Sequence, residues 1–206
     1  MAKGLRVVFP SATIRELPLS DGGTGLTDRL VAAQGGTVEI LSVRGPCGDP
    51  VQGKVGRLAD GTTVVIESAS ACGLALVPSS ERNPLKTSTI GVGELIHEAL
   101  SRYQPKDVII GCGDSATNDG GLGAAQALGV CFRRHDGTDL PYGAGGGALQ
   151  SIASVDSESM IPLGDTTFTV ACNLSSILCG PEGTSNVYGP QKGATPAAVV
   201  ELEAGL

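Results

Sequence analysis

One segment constrains this chain more than any other. The apolar run DVIIG at 107–111 passes into GCGDSATNDGG at 111–121, and the small-residue stretch LGAAQAL at 122–128 follows. A short, continuously apolar run bounded by glycines reads as a strand buried on both faces, which is how parallel strands are placed. A polar glycine loop between such a strand and a helix puts backbone donors outside the strand's carboxyl end, where open α/β sheets take their ligands. The chain is therefore expected to be an α/β protein. Glycine supplies 31 of the 206 residues, about twice the ordinary share. The glycines cluster without a period, which excludes a collagen-like chain and points to loops of close backbone approach.

The remaining segments extend that frame. Residues 5–9 (LRVVF), closed by Pro10, read as a buried strand. Residues 25–34 read as a short amphipathic helix stopped by Gly35 and Gly36. Residues 37–43, 51–58 and 62–67 read as strands, the last two joined by the Asp60-Gly61 turn, and together they form an antiparallel meander. A helix is expected over 91–102, with Leu95, Ile96, Ala99 and Leu100 on one face and Pro105 just beyond. Residues 168–172 read as the last strand, and a helix begins over 196–203. With no internal repeat and no linker, residues 1–206 are expected to form one α/β unit, a mixed sheet flanked by helices.

Composition removes several function classes. The formal charge is −7, and only Arg133 and Arg134 form an adjacent basic pair, which opposes nucleic-acid binding by counterion release. Aromatic residues are 3% with no tryptophan, too few for a base-stacking platform. No apolar run approaches the roughly 20 residues of a spanning helix, and residues 1–10 lack the apolar core of an export signal. A cytoplasmic protein without membrane or nucleic-acid partners is expected. The six cysteines lie far apart, without the close pairs of zinc or redox motifs. His97 and His135 have no visible partner, so neither a histidine triad nor a metal site is expected.

The candidate site residues lie in the loops. Gly113, Ser115, Thr117 and Asn118 offer backbone and side-chain donors to a phosphate or carboxylate. Asp114 and Asp119 are candidate acid or base groups, although Asp119 also reads as a helix cap. If Asp119 is a base, Asp119→Asn removes activity while folding is nearly unchanged. Asp21, Gly22 and Gly23 form a second polar turn. Glu67 ends a very apolar strand, where its carboxylate is expected to be desolvated. Lys192, in the rigid GPQKG turn, is a candidate partner for an anion.

Taken together, DGG at 21–23, VIESASACGL at 65–74, RNPLKTSTIGVGELI at 82–96, the segment IIGCGDSATNDGGLGAAQALG at 109–129, VACN at 170–173 and VYGPQKGAT at 187–195 resemble the bacterial and fungal glycerate kinase family. Order and spacing match from about residue 17 to 206. The resemblance implies two α/β lobes, one flavodoxin-like and one similar to a restriction-endonuclease fold, with ATP-dependent phosphorylation of glycerate in the cleft between them. It implies site roles for Asp21, the loop 113–121, Asn173 at the end of the VAC strand and Lys192. Many members carry GGS and ACD where this chain has Gly113-Asp114-Ser115 and Ala171-Cys172-Asn173, and GGEG where it has Gly22-Gly23-Thr24-Gly25.

Two departures shape the expected function. Members follow their first strand with a serine, aromatic and lysine segment and a full helix, which are missing after residues 5–9. They are also nearly twice as long, so most of the second, C-terminal lobe is lacking. The first reading is accordingly a repurposed enzyme that isomerises, cyclises or eliminates a small oxygenated metabolite. It uses Asp21, Glu67, Asp114 or Asp119 as acid or base and requires no cofactor. The second is a glycerate kinase or part of one, requiring ATP and Mg²⁺. The third is a non-catalytic partner subunit. A homo-oligomer is expected, because a lobe without its neighbour exposes an apolar face.

Overall fold

The computed structural model describes residues 1–16 and 18–206. Helix α1 (Ala2–Val8) is followed by α2 (Leu26–Gln34), then β1 (Gly36–Arg44), β2 (Pro50–Leu58) and β3 (Thr63–Glu67). The one-turn α3 (Ala69–Cys72), the long α4 (Ile90–Tyr103), β4 (Asp107–Gly111) and α5 (Leu122–Ala127) come next. The short pair β5 (Cys131–Arg133) and β6 (Ser154–Asp156) precedes β7 (Thr167–Ala171), α6 (Thr184–Tyr188) and α7 (Pro196–Gly205). The main sheet has the order β1-β2-β3-β4-β7. The first three strands form the expected antiparallel meander, and β3, β4 and β7 run parallel. Among the described residues no helix is long and apolar enough to cross a membrane.

Helix α4 forms where the sequence places apolar residues three and four apart. Its Leu95, Ile96 and Ala99 are buried against Val43, Val55, Ile66 and Val108 of the sheet. Burying one such leucine is worth about 1.5–3 kcal/mol. The helix stops at Gln104, which takes a left-handed φ of 46° and donates its N–H to the Leu100 carbonyl, and Pro105 cannot continue it. Helix α2 covers the opposite face, since a Cβ at Gly56 of β2 would meet Thr27 and Val31. Helices α4 and α5 approach backbone to backbone: a Cβ at Gly93 would stand 2.7 Å from the Ala127 Cβ and overlap the Ala124 carbonyl.

The expected first strand is a correction. Residues 5–9 fall in and just after α1, none of whose residues is buried. A five-residue apolar run carries too little periodicity to separate strand from helix. Among the described residues the outer edges of β1 and β7 are unpaired in the main sheet, so neither recruits this segment.

Among the described residues β7 is an edge strand of the main sheet, with apolar residues exposed on it and just after it. Val170, Leu174, Ile177 and Leu178 are each more than half exposed. Apolar area of this kind favours association. Light scattering at micromolar concentration is expected to give a mass above that of a single 20.6 kDa chain, and a clean monomer would contradict this.

Candidate functional site

The parallel register aligns Glu67, Gly111 and Ala171 as neighbours at the carboxyl ends of β3, β4 and β7. The Asp21-Gly22-Gly23 turn sits directly on this line. Gly22 has φ 99°, and a Cβ there would overlap the Ala171 carbonyl and come within 3.3 Å of the Cys112 oxygen, so glycine is required on both steric and conformational grounds. The exposed Asp21 accepts the Gly23 N–H on its Oδ1 at 3.1 Å, an Asx turn. Glu67 is 2% exposed and accepts the Thr27 N–H at 3.3 Å, tying the first turn of α2 to the sheet.

The loop 111–121 clasps that turn from the other side. Asp114 takes a left-handed φ of 54°, a conformation in which glycine costs least and aspartate is tolerated. Its Oδ2 accepts the Thr24 N–H at 3.0 Å and the Thr24 hydroxyl at 2.8 Å. These two bonds hold the Asp114 carboxyl below the usual carboxylate range. Thr24 and Asp114 are thus joined to each other. Gly113 packs on Gly23, 2.7 Å separating its would-be Cβ from the Gly23 Cα.

Lys192 is buried, with 8% of its surface exposed. Its Nζ donates to the Ser115 hydroxyl at 3.0 Å and to the Thr117 carbonyl at 2.6 Å. An ammonium carries three N–H donors, and two are used among the described residues. Burial pulls its pKa down, against the opposing influence of Cys72 and Asp119. Asn118 donates to the Ser185 hydroxyl at 3.0 Å, fixing the loop to α6.

Asp119 is 1% exposed, and its carboxylate is occupied by protein donors. Oδ2 accepts the Thr89 N–H and the Thr89 hydroxyl, both at 2.8 Å, and the Gly123 N–H at 3.2 Å. Oδ1 accepts the Gly121 N–H at 3.3 Å. It therefore pins the start of α5 to the start of α4. Asn173 lies exposed two residues beyond β7. The structure thus gathers Asp21, Gly22, Gly23, Glu67, Gly113 and Asp114 around the strand ends, places Ser115, Thr117 and Lys192 alongside, and turns Asn118 and Asp119 into the body.

Arg29 is a residue that sequence reasoning missed. An open hollow of about 400 Å³ at the turn is lined by Leu19, Ser20, Asp21, Thr24 and Arg29, and the Arg29 guanidinium donates to the Thr24 carbonyl at 2.9 Å. In sequence it falls within the short amphipathic helix expected over residues 25–34, with nothing to single it out. Among the described residues no group of three or more His, Cys, Asp or Glu is arranged to hold a metal ion.

A mixed sheet with two polar glycine turns at the carboxyl ends of its parallel strands, and a buried ammonium against the second of them, defines the class: an α/β protein with its polar loops gathered at one end of the parallel strands. A sequence model of the glycerate kinase family matches residues 1–206, and the chain belongs to that family. It is 47% identical to a glycerate kinase of Bacillus subtilis over 94% of this chain and 50% of the relative. It is 44% identical to one of Halalkalibacterium halodurans over 99% and 53%. The crystal structure of a putative glycerate kinase 2 from Salmonella typhimurium superposes with a TM-score of 0.86 at 41% identity, covering 99% of this chain and 54% of that one. The chain spans about half the length of the relatives it matches. These likenesses correct the first functional expectation: relatives named as glycerate kinases favour the kinase reading over a repurposed isomerase, cyclase or lyase.

Proposed function

We propose that this chain carries the glycerate-binding side of an ATP-dependent glycerate kinase. The observation that carries the reading is Lys192, a buried ammonium with a spare donor beside a glycine loop, which suits the carboxylate of a small hydroxy acid. In a low-dielectric setting such a charge-assisted bond is stronger than in water. The N–H groups of the loop 113–121 add donors to the same anion. Asp21, exposed at the strand ends, accepts the proton of the glycerate hydroxyl as that hydroxyl oxygen takes the γ-phosphoryl group of ATP. Asp114 holds Thr24 and thereby the turn that carries Asp21. Glu67 anchors α2 behind it.

Among the described residues no cluster of His, Cys, Asp or Glu forms a metal cage, and Mg²⁺ would enter with the phosphates of ATP. Six free thiols support a reducing, cytoplasmic setting. Coupled detection of ADP release with ATP, Mg²⁺ and glycerate tests the reaction. Turnover that saturates with glycerate supports the reading, and turnover with another acceptor but none with glycerate contradicts it.

A further inference from the structure

Two of the six free thiols stand side by side. Gly111 of β4 lies opposite Ala171 of β7 in parallel register, so the next residues, Cys112 and Cys172, leave neighbouring strands at the same level. The Cys112 N–H donates to the Ala171 carbonyl at 2.9 Å, which holds the two backbones at ladder spacing. Neighbouring strands run roughly 4.8 Å apart, inside the roughly 4.4–6.8 Å between Cα atoms that a disulfide spans. In-register residues of adjacent strands share one face of the sheet. Burial, and then the proximity of Cys172, push the Cys112 thiol up. Cys112 is half-buried and Cys172 exposed. Cys72 is a poor competitor because it is buried, and burial pushes its thiol up to about 12.

We propose that Cys112 and Cys172 form a dithiol site that small disulfide oxidants of the glutathione disulfide class close into an intramolecular disulfide. The exposed Cys172 loses its proton to solvent, and its thiolate attacks one sulfur of the oxidant. A mixed disulfide forms and one thiolate of the oxidant leaves. Cys112 then loses its proton and attacks the Cys172 Sγ, expelling the second thiolate. Two protein thiols give up two protons and two electrons, and one disulfide oxidant becomes two thiols. The pair neighbours the Asp21-Gly22 turn, since a Cβ at Gly22 would overlap the Ala171 carbonyl and come within 3.3 Å of the Cys112 oxygen. This inference is independent of the phosphoryl-transfer reading.

The test is oxidation of the purified chain with glutathione disulfide, followed by alkylation, proteolysis and mass spectrometry. The expected result is a linked 112–172 peptide, two fewer alkylated cysteines, an unalkylated mass two hydrogens lighter, and full reversal by dithiothreitol. Cys112→Ser and Cys172→Ser each abolish the linkage, whereas Cys179→Ser leaves it unchanged. Free thiols at both positions after oxidation would overturn the proposal. So would Cys172 stalled as a glutathione adduct, or a linkage of Cys172 to Cys179.

Discussion

Lys192→Met is expected to lower glycerate affinity by on the order of tenfold to a hundredfold, the worth of one hydrogen bond to a charged group. Methionine fills nearly the same volume without the charge, and the variant is expected to stay folded. The cost to stability is about 1–3 kcal/mol, because the Thr117 carbonyl loses its donor. Calorimetric titration with glycerate, paired with a melting curve, separates the two effects. A melting temperature that falls while affinity holds would make Lys192 a structural strut.

The same ammonium sets a pH dependence. Its folded pKa lies below the ordinary 10.5 because burial disfavours the charge. Between the folded and unfolded values the unfolded chain binds more protons, so this residue's contribution to stability rises with pH across that window. Anion affinity runs the other way, falling as pH climbs through the depressed value. The Met variant is expected to lose this alkaline fall.

Asp119→Ala is expected to cost roughly 3 kcal/mol or more, since it strands the Thr89 N–H, the Thr89 hydroxyl and the Gly123 N–H in the interior. Asp119→Asn keeps one acceptor but turns an amide N–H toward the remaining donors, at about 1–3 kcal/mol. This replaces the expectation of nearly unchanged folding: four donors converge on a carboxylate that sequence presented as a helix cap or a base. A plain cap predicts at most about 1 kcal/mol, with asparagine almost as good as aspartate. A base predicts loss of turnover at an unchanged melting temperature. Thermal melts of both variants beside the activity assay distinguish the three, and an Asn variant with an unchanged melting temperature would contradict the account.

Much of the fold was legible in sequence because its signals are local. The Asp60-Gly61 turn announces the meander, the spacing of Leu95, Ile96 and Ala99 announces α4, and DVIIG announces β4. Residues 5–9 misled because a five-residue apolar run has no period to read. Short β5, β6 and α6 were missed for the same want of length. The site was legible as a set of loops, since glycine and hydroxyl clusters mark them. The partnerships were not, because Thr24 with Asp114 and Thr89 with Asp119 are set by loops meeting in space across 90 and 30 residues. Arg29 escaped because its role comes from the turn that α2 carries beside it.

The central claim is that glycerate binds where the loop 113–121, the Asp21 turn and Lys192 converge. Titration of glycerate into the isotopically labelled chain, followed by amide and lysine side-chain chemical shifts, tests it most directly. The account predicts saturating shifts at Gly113, Ser115 and Lys192 and at the Asp21-Gly22-Gly23 turn. Shifts concentrated instead in the separate hollow lined by Glu94, His97 and Tyr142, with Lys192 unmoved, would contradict it.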